Sequence, residues 1–219
     1  MNIQFMLEHA DMYVQAAKLT INIALIGILL AMVIGIAGSL IKYFHIPVLS
    51  QLVSMYVEIS RNTPLLVQLF FFYFGLPKIG ILISSQACGI IGIAFLGGSY
   101  MEEAIRSGME SVGKIQSDTG YSLGLNRIQI MQHIILPQAI SRCIPAICAN
   151  IIFLIKETSV FSAIALADLM FVTKDLIGMY YETDTALLML VISYLIILLP
   201  ISFVFTLLER KVRYAEYGH

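Results

Sequence analysis

Two ionisable residues interrupt an apolar stretch, and they are the first candidates for chemistry in this sequence. Lys156 and Glu157 follow the apolar run 143–155, and apolar residues resume after Thr158. If this run crosses a membrane, charges at that depth are costly and usually face a cavity, a partner or a substrate. Lys156, Glu157 and Thr158 are therefore candidate binding residues, with a structural ion pair as the alternative for Glu157.

A second group of polar side chains lies near Pro64, where another apolar run begins. Glu58 and Arg61 are three residues apart, so a helix places them on one face, and for Glu58 a salt bridge with Arg61 is the favoured interpretation. Thr63 and Gln68 add a hydroxyl and an amide. Because cations and amide donors bind anionic groups, Arg61, Thr63 and Gln68 form the second candidate binding set.

These residues belong to a chain that is too apolar for a water-facing surface. The 219 residues are 59% hydrophobic and 12% charged, whereas a soluble domain is roughly 45–50% apolar and about 25% charged. The composition excludes an ordinary cytosolic enzyme, a disulfide scaffold and a disordered chain, and it predicts an all-α integral membrane protein. The 13 basic and 14 acidic residues nearly balance, which disfavours nucleic acid as a partner.

Five apolar segments are predicted to cross the membrane as helices of about 20 residues each. We expect one transmembrane domain over residues 1–219, with spans at approximately 19–41, 50–77, 79–101, 140–164 and 185–208. The second span needs an interfacial lead-in that bends near Pro47 and Pro64. The fourth span places the charges at 156 and 157 inside the membrane.

The basic residues indicate how these five spans are oriented, because lysine and arginine concentrate in cytoplasmic segments. With the N-terminus outside, the inner segments hold Lys42, Arg61, Arg106, Lys114, Arg127, Arg142, Arg210, Lys211 and Arg213. The outer segments then hold Lys18, Lys78 and Lys174. The excess predicts an N-out, C-in topology, with the loop between the third and fourth spans in the cytoplasm.

That loop, residues 108–137, is predicted to form two helices joined by a turn. The first helix is expected from Gly108 to Ser122, and Gly124 suits the left-handed conformation that ends a helix. Asn126, with Gln129 three residues later, is typical of a capping box that begins the second helix.

The second helix is predicted to be short and amphipathic. Its apolar stripe is formed by Ile128, Met131, Ile134 and Ile135. Pro137 is expected to end it. Periodicity alone leaves two interpretations open: a helix that lies on lipid, or a stiff element that transmits force from a partner.

Several motifs resemble one family, in the order that the family shows. Gly124, nine intervening residues and Ile134-x-Leu136-Pro137 resemble the tail of the EAA loop in permease subunits of ABC importers. Residues 56–77 and 98–108 are similar to the second-span signature and third-span exit of the polar amino acid permeases, although Arg61-Asn62-Thr63-Pro64 replaces the usual Arg-Gly-Thr-Pro. Residues 136–139 and 156–159 are similar to the fourth-span markers. The chain thus resembles a permease of the His/Glu/Gln/Arg/cystine type.

The resemblance implies a set of partners in a bacterial cytoplasmic membrane. Because the chain has no G-x-x-x-x-G-K-[ST] loop, ATP and Mg are expected on a separate cytoplasmic ATPase dimer. A second permease subunit, identical or homologous, is expected to complete the path, and an extracytoplasmic binding protein is expected to deliver substrate. Alternating access then moves the two permease halves about a central cavity.

In that family the EAA loop docks into the ATPase. The resemblance therefore implies that coupling to the ATPase is carried by Asp118, Leu123, Gly124, Leu125, Asn126 and Arg127. One departure is that Asp118-Thr119-Gly120 occupies the place of Glu-Ala-Ala. Because Gly lowers helix propensity by roughly 1 kcal/mol relative to Ala, the first loop helix is expected to be looser or shorter than usual.

The same resemblance gives the candidate binding residues their expected roles. Arg61, or backbone amides near Thr63, would bind the carboxylate of an amino acid, and Gln68 lies beside them. Glu157 would bind the ammonium group, with Lys156 and Thr158 next to it. A cationic substrate is disfavoured, since it would need more acidic residues than Glu157, and the choice among cystine, glutamine and other neutral or zwitterionic amino acids stays open.

Two other classes of protein are weighed against a permease. An ATP-independent channel or ion-coupled carrier would show more intramembrane carboxylates or an internal repeat. An intramembrane enzyme would need a nucleophile and a base, or histidine and carboxylate ligands, inside the spans; the histidines all fall outside them, which disfavours this class. The sequence therefore predicts no catalytic residue and no metal site.

Overall fold

The computed structural model describes the backbone of residues 2–217 and the side chains up to residue 212. All regular elements in this part of the chain are helical. The α-helices are α1 Ile3–Tyr43, α2 Leu49–Arg61, α3 Leu65–Phe70, α4 Ser85–Glu110, α5 Lys114–Ser122, α6 Arg127–Ile130, α7 Leu136–Glu157, α8 Leu169–Tyr180 and α9 Thr183–Tyr217. Arg213, one of the predicted inner residues, lies in α9 with its side chain outside the described part.

Four helical stretches are long and apolar enough to cross a membrane. They are Ile3–Tyr43, Ser85–Glu110, Arg127–Ile164 and Thr183–Val212. They contain the predicted spans 19–41, 140–164 and 185–208 and most of 79–101. The last of these begins later than predicted, because residues 80–84 are not helical and Ser84 caps α4 by accepting a hydrogen bond from the Ala87 amide at 3.3 Å.

The predicted span 50–77 is not one helix. α2 ends at Arg61, α3 begins at Leu65, and the chain continues through a π-helical turn, Phe71–Gly75, and a 3-10 turn, Leu76–Ile79. The break follows from Pro64, which has extended backbone angles and disfavours helix at the residue before it. The stretch Leu65–Ile79 is shorter than the four long helices.

α1 has 41 residues and begins well before the predicted span. At 1.5 Å per residue it is about 60 Å long, twice the thickness of a bilayer core. Its first half is held by α8 and α9: the hydroxyl of Tyr13 lies 2.9 Å from Thr173 Oγ1 and donates to the Ala186 carbonyl at 2.9 Å. Packing of this kind explains why the N-terminal segment, which mixes polar and apolar residues, is helical.

α1 and α4 form the central contact, and they run parallel. Gly27 lies against Ile93, Ala31 against Gly97, and Lys42 against Glu102, so contacts advance together along both helices. A β-carbon at Gly27 would come within 2.7 Å of Ile93 Cβ. Small residues are therefore required for this close approach, as in other membrane helix pairs.

α7 runs antiparallel to α4. Leu154 packs near Gly97 at one end, Cys143 lies against Gly108 at the other, and Asn150 donates to the Tyr100 carbonyl at 3.1 Å between them. α9 runs parallel to α1. The early residues of α9 lie beside the start of α1, and its later residues lie beside the middle of α1. Much of α9 is exposed in the single chain.

Asp168 caps α8 and is fully buried. Its Oδ1 accepts a hydrogen bond from the Phe171 amide at 2.9 Å, whereas Oδ2 has no hydrogen-bond partner. Burial raises the pKa of Asp168 to about 6, and its backbone hydrogen bonds and Lys174 lower it only in part. This carboxylate belongs to the same end of the bundle as the beginning of α1.

Two predictions about the loop were wrong. The expected first helix, 108–122, is divided, because α4 continues to Glu110 and α5 begins only at Lys114. Pro137 does not end the second helix, since α6 passes through a π-helical turn, Met131–Ile135, directly into α7. A π turn changes the hydrogen-bond pattern where a proline lacks its N–H, so the chain remains helical.

Candidate functional site

The break between α2 and α3 is held by one buried amide. Gln68 is only 6% exposed, and its Nε2 donates to the carbonyls of Ser60 and Thr63, each at 3.0 Å. These carbonyls lose their helical partners where α2 ends, so the amide replaces hydrogen bonds that the helix lacks. Gln68 Oε1 is buried without a hydrogen-bond partner. The predicted binding residue Gln68 thus shapes the break.

A polar contact joins α2 to the middle of α4. Ser60 Oγ and Tyr56 Oη donate to the Phe95 carbonyl at 3.0 and 2.6 Å. Ser99 Oγ donates to Ser60 Oγ at 3.0 Å. Sequence reasoning missed this contact, although the four-residue spacing of 56 and 60, and of 95 and 99, is the signal of two matching helix faces.

Arg61 forms an ion pair with Glu103 of α4, and its guanidinium carbon lies 5.1 Å from the centre of the Tyr100 ring. Beside it is a small cavity of about 260 Å³, which Glu58, Asn62 and Tyr100 also line. The Arg61 side chain is 37% exposed. A guanidinium that is stacked, paired on one side and still accessible can exchange its partner for another carboxylate.

The predicted salt bridge between Glu58 and Arg61 was wrong. Asn62 Nδ2 donates to the Glu58 carbonyl at 2.8 Å and to Glu58 Oε2 at 3.1 Å. Glu103 binds Arg61 because α4 passes alongside the end of α2, which sequence spacing does not reveal. Thr63 is half-buried, and its hydroxyl donates to the Ile59 carbonyl at 2.7 Å.

The second candidate set lies where α7 ends. α7 changes at Thr158 into a 3-10 helix that continues to Ile164. Lys156 is exposed, Glu157 is half-buried, and Thr158 is buried with its hydroxyl bonded to the Ile155 carbonyl at 2.7 Å. In the described part of the chain, no salt bridge joins Glu157 to Lys156 or to Arg61.

The C-terminal half of α4 contains a buried carboxylate that sequence reasoning did not select. Glu102 is fully buried. Its Oε1 lies 3.4 Å from Lys42 Nζ and 3.4 Å from Arg106 Nε, and Oε2 accepts from Lys42 Nζ at 3.5 Å. One carboxylate thus ties the end of α1 to the end of α4. The four-residue spacing of 102 and 106 was the available signal.

The turn between α5 and α6, residues 123–127, is exposed and has a fixed backbone. Gly124 has a φ of +81°, as predicted for a residue that ends a helix in the left-handed region. The capping box is confirmed: Asn126 Oδ1 accepts from the Gln129 amide at 2.9 Å, and Gln129 Oε1 accepts from the Asn126 amide at 2.9 Å. Leu123 is 75% exposed.

Arg127 anchors this turn to the end of α1. Its Nη2 donates to the Tyr43 carbonyl at 2.5 Å and lies 3.2 Å from His45 Nδ1. The guanidinium carbon also lies 5.2 Å from the centre of the Phe44 ring. Leu125 is half-buried and Asp118 is exposed. The turn is therefore supported from behind, with Leu123 and Gly124 facing outward.

Gly120, part of the departure from Glu-Ala-Ala, is buried where α5 packs on α6. A β-carbon there would lie 2.9 Å from Ile130 Cγ1 and 2.9 Å from Ile134 Cδ1. α5 is regular over nine residues. The glycine therefore allows a close approach of the two helices.

No cluster of three or more histidine, cysteine, aspartate or glutamate side chains that could hold a metal occurs among the described residues.

Comparison with known sequences points to one family. A family model described as "Binding-protein-dependent transport system inner membrane component" matches residues 23–214. The chain is 37% identical over 162 residues to a probable glutamine ABC transporter permease protein GlnP of Bacillus subtilis, covering 74% of each chain. It is 29% identical over 202 residues to the glutamine transport system permease protein GlnP of Escherichia coli, covering 91% of this chain and 92% of the relative.

Solved structures show the same architecture. The crystal structure of an amino acid ABC transporter with histidines covers 96% of this chain and 99% of its own, with a TM-score of 0.91 and 27% identity. An inward-facing MetNI methionine ABC transporter has a TM-score of 0.78 at 18% identity, covering 97% and 99% of the two chains. At 18% identity, the similarity to the MetNI transporter concerns the fold alone.

Proposed function

The chain belongs to the family of binding-protein-dependent transport system inner membrane components, and we propose that it is the permease subunit of an ATP-driven importer of polar amino acids in a bacterial cell membrane. The observation that carries the proposal is the agreement, over nearly the whole chain, with the fold of an amino acid ABC transporter. Relatives named as glutamine permeases support a neutral, polar amino acid as the cargo.

The directions of the helices support five membrane crossings. Because α1 and α4 run parallel, the chain between them, residues 44–84, has to return across the membrane. α2 and the helical stretch Leu65–Ile79 are each about 20 Å long at 1.5 Å per residue, which together exceed a bilayer core of about 30 Å. With the basic residues at the shared ends of α1 and α4 inside, the N-terminus is outside and the C-terminus inside.

The turn 123–127 is the proposed docking element for the ATPase. Coupling needs a protruding part with a fixed backbone, and here the capping box and the Arg127 contacts to α1 supply the support. Leu123 and Gly124 supply the exposed surface. ATP and Mg would bind to the ATPase subunits, and a binding protein would deliver substrate from the other side.

A second permease subunit is proposed to complete the path. Binding of this subunit would cover residues that the single chain leaves exposed and would enclose the cavity beside Arg61. In that cavity Arg61 would bind the substrate carboxylate, exchanging Glu103 for it, with Thr63 and Gln68 fixing the break behind it. Glu157, between Lys156 and Thr158, would bind the ammonium group.

Uptake by reconstituted vesicles tests the function. The permease, its ATPase and its binding protein are placed in proteoliposomes with radiolabelled glutamine outside, and the ATPase sites face a compartment loaded with ATP and Mg. We expect uptake only when all three components and ATP are present. Uptake at the same rate without ATP would instead favour an ion-coupled carrier or channel.

The proposed carboxylate site has a matched pair of variants. Arg61→Gln and Glu103→Gln break the same ion pair, but only the first removes the cation. Loss of a charge-assisted contact of about 1.5–3 kcal/mol should raise the substrate KM of Arg61→Gln about tenfold or more. An equal change in Glu103→Gln would mean that the pair itself, and not substrate binding, matters.

The proposed ammonium site is tested by Glu157→Gln, with Glu110→Gln as its control because Glu110 is an exposed carboxylate. We expect a raised KM only in Glu157→Gln. Uptake with unchanged affinity in this variant would remove Glu157 from the site.

Coupling is tested at Gly124. Gly124→Trp should abolish transport and substrate-stimulated ATP hydrolysis while the chain remains folded, because an indole would occupy the docking surface. Gly124→Asn is the control, since Asn tolerates a positive φ without adding much bulk. Substrate-stimulated hydrolysis retained in Gly124→Trp would contradict the docking role.

A further inference from the structure

A cavity of about 580 Å³ lies where three of the four long apolar helices end. α1 contributes Lys42 from its last turn, α4 contributes Arg106 and Glu110, and Arg127 begins the stretch that leads into α7. Lys114, the first residue of α5, also lines the cavity. Lys42 directly follows the charge-free run 19–41, and Arg106 lies about one helical turn beyond the charge-free run 79–101. The ends of these apolar runs mark the edge of the hydrocarbon, so the cavity lies at the depth of lipid headgroups.

The charges around this cavity do not balance. The cations are Lys42, Arg106, Lys114 and Arg127, and the carboxylates are Glu110 and the buried Glu102. Glu102 lies against Lys42 and Arg106, and both oxygens of Glu110 accept from Arg106 Nη1 at 2.8 and 2.9 Å. Two positive charges therefore remain without a carboxylate.

Those two cations are Lys114 and Arg127. Lys114 has no hydrogen bond or ion pair to any described residue. Arg127 contacts a backbone carbonyl, a histidine ring and two aromatic faces, but no carboxylate. The hydroxyls of Ser117 and Tyr121 line the same space. Ammonium, guanidinium and hydroxyl donors that converge in this way match the oxygens of a phosphate group.

We propose that this cavity binds a phosphate group, and that the group is the headgroup phosphate of an anionic membrane lipid. Basic pockets between spanning helices at the inner membrane face are typical sites for acidic lipid headgroups. A volume of about 580 Å³ falls within the ordinary range of ligand pockets and exceeds the needs of one phosphate. The inference depends on neither the transported substrate nor ATP hydrolysis.

Native mass spectrometry of the delipidated full chain in neutral detergent tests the proposal. The chain is titrated with phosphatidylglycerol or with phosphatidylcholine, and the affinity of the first bound lipid is measured. Phosphatidylglycerol should bind more tightly. Because one basic residue contributes about 1 kcal/mol to the binding of acidic lipid, Lys114→Gln should weaken it about fivefold.

Lys211→Gln is the matched control. Lys211 is exposed on α9 and does not line the cavity, so its removal should leave the affinity unchanged. Thermal unfolding of both variants checks that the fold is retained. Equal weakening in both variants, or no preference for phosphatidylglycerol in the parent chain, would overturn the proposal.

Two further arms identify the occupant. Displacement of the lipid by millimolar inorganic phosphate, together with stabilisation by phosphate alone, would support a phosphate site but assign it to a soluble anion. The titration is then repeated with the ATPase bound. Loss of lipid binding in that form would show that the ATPase fills the cavity in the assembled transporter, which would overturn the lipid assignment.

Discussion

The two ends of the bundle each bury a carboxylate, and they do so in opposite ways. Glu102, at the shared end of α1 and α4, lies between Lys42 and Arg106. Asp168, at the other end, caps α8 and leaves one oxygen without a hydrogen-bond partner. Both side chains are fully buried. Burial alone therefore does not set the effect of a charge, because the groups around the charge decide whether its ionisation stabilises the fold.

Loss of the carboxylate at Glu102 is expected to have the largest effect. Glu102→Gln leaves Lys42 without a carboxylate partner and leaves Arg106 with Glu110 alone. Removing one partner of a buried ion pair costs about 3–5 kcal/mol, so the midpoint of unfolding in detergent should fall steeply. Glu110→Gln is the control, because its side chain is 63% exposed and exposed ion pairs contribute about 0–1 kcal/mol. Equal losses in the two variants would remove the distinction.

The opposite sign is expected at Asp168. Its pKa in the folded chain, about 6, lies above that of an unfolded aspartate, about 3.9. The folded state therefore binds the proton more tightly, and stability should increase as the pH falls from about 7 to about 4.

Asp168→Asn keeps the helix cap but removes the charge. It should be more stable than the parent at pH 8 by on the order of 2 kcal/mol and should lack the gain at lower pH. Unfolding curves from pH 4.5 to pH 8 measure both effects. If Asp168→Asn is less stable than the parent and both chains have the same pH dependence of unfolding, the ionised form of Asp168 is stabilised by its surroundings, which would contradict the prediction.

Gly38 gives a smaller test of the packing around Glu102. A β-carbon at this position would lie 3.0 Å from Glu102 Cγ and 3.3 Å from Val53 Cγ1. Gly38→Ala should therefore push the carboxylate away from its cations, and overpacking of about 1–3 kcal/mol should exceed the gain in helix propensity of about 1 kcal/mol. A stabilised variant would mean that this end of the bundle adapts easily.

Gly178, in the helix that Asp168 caps, completes the comparison with the smallest effect. A β-carbon at Gly178 would meet no atom within 4 Å. Gly178→Ala should therefore stabilise the chain by about 0.5–1 kcal/mol through helix propensity alone. Opposite signs for the two glycine variants, measured under the same conditions, would confirm that the Glu102 end is tightly packed and that the Asp168 end has room.

The fold was predictable from sequence wherever hydrophobicity is continuous. The runs 19–41 and 185–208 predicted helices that the structure contains. The extension of α1 back to Ile3 was not predictable, because charged and polar residues interrupt the apolar ones in residues 1–18. The helix there depends on contacts of Phe5 and Tyr13 with distant elements. Hydropathy predicts which segments lie in the membrane, whereas the helix at the N-terminus depends on residues that are distant in the sequence.

The two prolines show why local rules were insufficient. Pro64 and Pro137 both follow helical stretches; Pro64 was expected to bend the lead-in to the second span, and Pro137 was expected to end a helix. At Pro64 the helix does break, and Gln68 bonds the carbonyls that are released. At Pro137 the preceding turn becomes a π helix and Gln138 Nε2 donates to the Ile134 carbonyl at 2.8 Å. The outcome depends on whether the neighbouring turn can rearrange, which a single-residue rule does not contain.

The candidate site divides in the same way. Gly124 and the capping box at Asn126 were predictable because their geometry is local. The partner of Arg61 was not, since Glu103 belongs to a helix whose proximity only the fold reveals. Sequence reasoning therefore identified the polar residues but not the pairs that they form.

Because α1 is continuous, it connects the two ends of the bundle rigidly. One helix, unbroken over 41 residues and free of proline, contacts the Asp168-capped helix near its beginning and Glu102 near its end. At a length of about 60 Å, a tilt of only about 5° displaces one tip relative to the other by roughly 5 Å. A tilt imposed where α1 meets the Asp168-capped helix would thus shift the other end of α1, beside Glu102, by several ångströms.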